Sequence, residues 1–123
     1  MMKIIYPHNR SHHMLTLTNE TFAESLFSIH PNKLAVVVFS ANWCDSCQEF
    51  QQSTLHQLKS LYPGDSVVFM RVDVDECPDL ADKYAVDRLP TFVFFKNRNI
   101  VNFIVGNELL GKFKRVINDA LNN

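Results

Sequence analysis

The chain has 123 residues, enough for one domain with a real core and too few for two. Apolar residues make up 46% and charged residues 20%, an ordinary balance for a soluble globular domain. A net charge of -1 gives no electrostatic basis for binding nucleic acid or an anionic membrane, and no apolar run approaches a membrane span. The apolar stretch ahead of Pro7 is too short for the core of a signal peptide. Three cysteines without such a signal argue for a reducing compartment, and the expected location is cytoplasmic.

Residues 1–13 read differently from the rest. Lys3 to Tyr6 has the pattern of a short strand, but Pro7 to His13 is polar and rich in turn formers. The expectation is a flexible N-terminal extension ahead of one domain spanning 14–123. Leu15 to Leu17 is a first strand. Thr18 or Asn19 can cap a helix, supported by Thr21 and Glu24, whose apolar stripe is Phe22, Leu26 and Ile29. Asn19-Glu20-Thr21 also fits a glycosylation acceptor, but in an unsecreted chain it reads as that helix start.

After Pro31-Asn32, the run Leu34–Phe39 shows no alternation, as expected of a strand buried on both faces. Asp45 to about Leu61 is helical in pattern, with Phe50 and Leu58 on one side and Leu55 and Leu61 near it. Pro63-Gly64-Asp65 breaks it. Ser66–Asp73 is a further buried strand, Asp79 to Tyr84 a short helix, and Thr91–Lys96 another strand. Lys96-Asn97-Arg98-Asn99 is a hairpin turn, with Ile100–Val105 as the returning strand. Asn107 can cap a last helix whose Leu110, Phe113, Ile117 and Leu121 share a face. Strands alternating with helices predict parallel pairing early in the chain, and the last hairpin must be antiparallel.

The chemistry sits in Trp43-Cys44-Asp45-Ser46-Cys47, directly after the apolar run. Two thiols separated by two residues can close a small disulfide and reopen it. A strand, turn and helix place the first sulfur at a helix N-terminus, where backbone N–H groups favour thiolate over thiol. Two inert core cysteines would have to share this junction by chance. Zinc would want four ligands, and no second Cys or His pair stands at useful spacing. His12-His13, His30 and His56 read as surface residues, and no metal is expected.

The order β-α-β-α-β-α-β-β-α, with Trp-Cys-x-x-Cys after the second strand, resembles the thioredoxin family. Val38-Phe39-Ser40-Ala41-Asn42-Trp43-Cys44 is similar to the segment entering that family's active site. Val72-Asp73-Val74-Asp75-Glu76 resembles its acidic third-strand exit, Leu89-Pro90-Thr91-Phe92 its cis-proline loop, and Val105-Gly106 its substrate-groove glycine. Cys77 falls where animal members often carry an extra cysteine. The resemblance implies an α/β thioredoxin fold, a central mixed sheet of four to five strands flanked by helices on both faces.

It also implies a protein-disulfide reductase and electron carrier acting through a Cys44/Cys47 dithiol. Cys44, expected to be exposed, would attack a partner disulfide, and the more buried Cys47 would resolve the mixed disulfide. No bound cofactor is expected. Electrons would come from NADPH through a thioredoxin reductase, and the partners would be that reductase and oxidised proteins, met by a monomer. Trp43, Leu89, Pro90, Thr91 and Gly106 would form the substrate groove, with Trp43 hydrogen-bonded to Asp75. Asp45, Ser46 and Asp75 would modulate the pair. A carboxylate at Asp45 disfavours the thiolate by only about 1 kcal/mol at ~4 Å in water, and the helix terminus opposes it.

Three positions depart from the family pattern. The spacer is Asp45-Ser46 instead of Gly-Pro, Val38 stands where a buried aspartate is usual, and Arg98 replaces a hairpin glycine. These departures leave two alternatives open: a thioredoxin-fold binding or scaffold module with weak redox activity, and a more oxidising, isomerase-like member. Arg71 falls near the family's lysine under the active site and is otherwise read as a surface arginine. Cys77 is expected to be an unpaired, surface or half-buried thiol.

Overall fold

The computed structural model describes residues 14–123. The expected strand at Lys3–Tyr6 lies outside the described residues, as do His12 and His13. In chain order the elements are β1 (Leu15–Leu17), α1 (Phe22–Phe27), β2 (Leu34–Ser40), α2 (Asp45–Glu49), a π-helical turn (Phe50–Thr54), α3 (Leu55–Leu61), β3 (Val67–Asp73), α4 (Pro78–Lys83), β4 (Thr91–Lys96), β5 (Asn99–Val105) and α5 (Leu110–Asn122). The strands form one sheet in the order β1-β3-β2-β4-β5. β1 and β2 lie parallel to β3, while β4 is antiparallel to both β2 and β5. This is a five-stranded mixed sheet with helices on both faces.

β2 is central, and all seven of its residues are buried. Its side chains alternate between two cores. Leu34, Val36 and Val38 face Phe50, Leu55, Leu58, Phe113 and Ile117, under the π turn, α3 and α5. Ala35, Val37 and Phe39 face Leu17, Phe22, Cys77 and Leu80, under α1 and α4. Each fully buried Val, Leu or Phe contributes about 1.5–3 kcal/mol, and a charge at any one of these β2 positions would be buried in one of the two cores. In the first core Phe50, Phe92 and Phe113 form a ring triad, with centroids 4.7 Å apart for Phe50–Phe92 and 4.8 Å for Phe92–Phe113.

The helix expected over 45–61 is not a plain α-helix. At 3.6 residues per turn, positions five apart point about 140° apart, so Phe50 and Leu55 could not both face the core. The π turn at Phe50–Thr54 brings them onto one side, and their exposures are 1% and 0%. Leu61, placed near that stripe in the sequence reading, is instead exposed. The start of α1 is fixed by two threonines. Thr21 N–H donates to Thr18 Oγ1 at 3.2 Å, and Thr18 N–H donates to Thr21 Oγ1 at 2.9 Å, a reciprocal cap. Asn107 does not cap α5. Leu109 holds that place without a side-chain cap, and Asn107 Nδ2 instead donates to Glu49 Oε1 at 3.4 Å.

Candidate active site

β2 ends at Ser40, and the chain turns through Ala41, Asn42 and Trp43 into α2. Cys44 N–H closes that turn on Ala41 O at 3.2 Å. Cys44 itself is extended (φ -89°, ψ 110°) and is the N-cap of α2. Its sulfur takes the place of a capping oxygen and accepts the Cys47 N–H at 3.2 Å. The Ser46 hydroxyl lies 3.4 Å from the same sulfur. The two cysteine sulfurs are joined in a disulfide, with Cα atoms 5.3 Å apart. When that bond is reduced, the same N–H is in place to donate to a thiolate on Cys44.

Burial does not separate the two cysteines. Cys44 is 7% exposed and Cys47 6% exposed, so the expectation of an exposed first and a more buried second cysteine is corrected. Ala41, Val74 and Leu89 pack around both. The asymmetry lies in hydrogen bonding: the helix N-terminus is aimed at one sulfur.

Trp43 is 68% exposed beside this pair, and its Nε1–H donates to Asp75 Oδ2 at 2.8 Å. Asp75 N–H in turn bonds Asp73 Oδ1 at 2.9 Å, which holds the carboxylate's loop in place. The Leu89–Pro90 peptide is cis. Pro90 O accepts the Gly106 N–H at 2.7 Å, and Thr91 Oγ1 donates to Arg88 O at 2.6 Å. Gly106 has φ 83°, a backbone state that glycine adopts without a Cβ clash. Among the described residues Leu89 makes no backbone hydrogen bond, so its N–H and C=O form an open edge beside the disulfide. Trp43, Leu89, Pro90, Thr91 and Gly106 thus come together with Cys44 and Cys47 at one end of the sheet.

Two residues before the end of β2, Val38 is buried and paired in register with Arg71. Arg71 is not a free surface residue. It is half-buried, and its Nε and Nη2 donate to Ser40 Oγ at 3.3 and 3.2 Å. The position therefore holds an apolar side chain and a guanidinium bonded to a neutral hydroxyl. Ser40 had no role in the sequence reading, because nothing in the sequence shows that Arg71 lies two residues from it in the β2–β3 register.

Cys77 is corrected from a surface or half-buried thiol to a fully buried one, 2% exposed. It packs in the second core, with Sγ 3.9 Å from Leu17 O. Burial raises its pKa, a backbone hydrogen bond from the Asn19 region opposes this, and Asp73, Glu76 and Glu20 add to the rise. The sequence reading also missed an open groove of about 270 Å³ next to Trp43 and Leu89, whose lining includes Asp82 and Asp87. Its signal was present as the acid-rich stretch 73–88. Among the described residues no cluster of three or more His, Cys, Asp or Glu is placed to hold a metal ion. No helix there is long and apolar enough to cross a membrane.

A closed pair of cysteines at a helix N-terminus, set against a cis-proline loop, defines a protein that exchanges dithiol for disulfide. Comparison with known proteins gives the family. The family model described as Thioredoxin matches residues 13–119. Thioredoxin-1 of Caenorhabditis elegans is 36% identical over 83 residues, 68% of this chain and 70% of that protein. The oxidised mitochondrial thioredoxin 3 of Saccharomyces cerevisiae superposes with a TM-score of 0.75 at 34% identity, covering 89% of this chain and 98% of that one. The thioredoxin NaTrxh of Nicotiana alata gives 0.77 at 28% identity, covering 87% and 91%. The chain belongs to the thioredoxin family, and it is a thiol–disulfide oxidoreductase that acts on protein disulfides. The family's redox group is a disulfide and not a prosthetic cofactor.

Proposed function

We propose that Cys44 is the attacking sulfur and Cys47 the resolving one, and that Trp43, Leu89, Pro90, Thr91 and Gly106 hold the substrate. Reduced Cys44 attacks one sulfur of a protein disulfide. The substrate S–S bond breaks, a mixed disulfide forms, and the first substrate thiolate leaves and takes a proton. Cys47 then gives up its proton and attacks Cys44 Sγ. The mixed disulfide breaks, the Cys44–Cys47 bond closes, and the second substrate thiolate leaves. Two electrons pass from the dithiol to the substrate. The observation that carries this assignment is the Cys47 N–H directed at Cys44 Sγ.

The open backbone of Leu89 gives an extended substrate strand a partner next to the reacting sulfurs. The fixed indole of Trp43 covers one side, and Asp45, Ser46 and Asp75 tune the pair. The oxidised form is recharged by a thioredoxin reductase drawing on NADPH, so the chain serves electron transport in the cytoplasm as a monomer. The domain is 14–123, with 1–13 an extension to it.

The test is a pair of variants. Immobilised Cys47→Ser should retain oxidised partners as mixed disulfides that dithiothreitol releases, while Cys44→Ser should retain none and lose insulin reduction. Insulin reduction by Cys44→Ser at the wild-type rate would overturn the assignment and favour a binding module.

A further inference from the structure

We infer that the groove beside the disulfide selects protein disulfides flanked by a lysine or arginine, whose stem lies on Trp43, Val74, Pro78 and Leu89 and whose charge meets Asp82 and Asp87. The inference rests on the reductase reading above and names the substrate class of that same site. The groove, about 270 Å³, borders the reacting centre through shared residues. Val74 and Leu89, which line it, also pack against Cys44 and Cys47. A substrate segment that presents its disulfide to Cys44 therefore has a neighbouring residue in this groove.

The lining has two chemistries. Its floor is apolar, from Trp43, Val74, Pro78 and Leu89, and among the described residues its only charged members are the exposed carboxylates Asp82 and Asp87. A purely apolar side chain would use the floor and leave the carboxylates unmet. A glutamate would bring like charge to them. A long aliphatic stem ending in a cation satisfies both, and this is how Lys and Arg lie on apolar surface. The indole of Trp43, held by Asp75, adds a ring face for the cation.

The carboxylates are available. Among the described residues neither Asp82 nor Asp87 has an ion pair or a side-chain hydrogen bond. The nearby cations do not neutralise the groove. Lys83 lies over the Tyr84 ring at 5.6 Å and lines a different cavity, with Phe22 and Phe95, and Arg88 is not part of the lining. The segment 73–88 carries six carboxylates, at Asp73, Asp75, Glu76, Asp79, Asp82 and Asp87, against two cations. The field at the groove is therefore negative, and it steers a basic segment toward the disulfide.

The test uses the full chain in its reduced form and three disulfide-linked peptides that differ in one residue flanking the attacked cysteine: arginine, leucine or glutamate. Reduction is followed through Trp43 fluorescence. The wild type should prefer arginine over glutamate by about three- to tenfold in second-order rate constant, as expected of one or two exposed charge pairs. The ratio should shrink between 50 mM and 0.5 M salt. It should fall toward one in Asp82→Asn/Asp87→Asn and invert in Asp82→Lys/Asp87→Lys. Because the readout is a ratio, a general loss of activity in a variant does not imitate the effect.

A wild-type ratio near one, or a ratio unchanged by both double variants, would overturn the inference. Two further measurements separate it from the reading it rests on. Hydroxyethyl disulfide, a small neutral substrate, tests the reductase activity of the wild type. Binding of the same peptides with their cysteines replaced by serine tests the groove without the chemistry. Preferential binding of the arginine peptide without turnover of any disulfide would uphold the groove and overturn the reductase reading. Turnover with no charge preference in rate or binding would do the reverse.

Discussion

At the end of the sheet away from the disulfide, the Lys96 ammonium donates to Ala120 O at 2.8 Å and to Asn123 O at 2.7 Å. It thereby closes the carbonyl end of α5, where a cation also complements the helix dipole. In the adjoining turn, Arg98 stacks its guanidinium over Phe27 at 4.4 Å. At the disulfide end some hydrogen bonds hold the site, such as Trp43 to Asp75, but several polar groups are left open. Leu89 keeps its backbone unpaired, Asp82 and Asp87 have no partner among the described residues, and Asn107 Oδ1 is buried without one. The helix terminus there is aimed at a reactive sulfur, not at an inert cap. The far end's polar groups hold the fold, while the disulfide end keeps some of its own for a second molecule. Substitutions at the two ends should therefore separate stability from activity.

Lys96→Met is the strongest break at the far end. It removes two charge-assisted hydrogen bonds to a helix terminus and should cost about 1–2 kcal/mol in a urea melt, with insulin reduction within twofold of wild type. A large loss of reductase activity with intact folding would show that the ends are coupled.

Gly106→Ala and Arg98→Gly compare the same backbone state at opposite ends. Gly106 has φ 83° and Arg98 φ 68°. Alanine at 106 should cost about 1–2 kcal/mol, because a Cβ is disfavoured in the left-handed region. It should also slow insulin reduction several-fold by disturbing the Gly106–Pro90 hydrogen bond that positions the groove. Glycine at 98 relieves the same penalty but loses a ring contact worth about 0.5–1 kcal/mol, so stability should change by less than about 1 kcal/mol. Activity should not change. Equal effects of the two variants on reduction would erase the distinction between the ends.

Cys77 sharpens the comparison further, since it is a thiol near the active end used only for packing. Its folded pKa is raised, chiefly by burial, so the native state keeps a proton that the unfolded chain gives up. Its contribution to stability is full below the unfolded thiol's pKa, about 8.5, and is lost as pH rises toward the folded value. Urea melts of the oxidised protein between pH 8 and 9.5 should show stability falling with pH, and Cys77→Ala should flatten that slope. An identical slope in both proteins would mean that the thiol is not shielded.

Much of this was legible in the sequence for local reasons. The unalternating run Leu34–Phe39 marked a strand buried on both faces. Asn97-Arg98 between two apolar runs marked the hairpin. Cys44 and Cys47 at a strand–helix junction marked the redox pair. The cis peptide at Pro90 and the groove glycine were reached through family resemblance, since neither follows from composition or spacing. What was not legible depends on contacts across the chain. The π turn answers the five-residue spacing of Phe50 and Leu55, which matters only once both must face Phe92 and Phe113. Arg71 finds Ser40 only through the β2–β3 register. Cys77 is buried because β1 closes over it. Cys44 is no more exposed than Cys47 because Ala41, Val74 and Leu89 surround both.

The central claim is that hydrogen bonding, not exposure, distinguishes the two sulfurs. It is tested most directly by reducing the protein, alkylating it briefly with substoichiometric iodoacetamide at neutral pH, and mapping the label by mass spectrometry. The account predicts that Cys44 is labelled at least about tenfold faster than Cys47, despite their similar burial, and that Cys77 is not labelled until the protein unfolds. Equal labelling of Cys44 and Cys47, or faster labelling of Cys47, would contradict it.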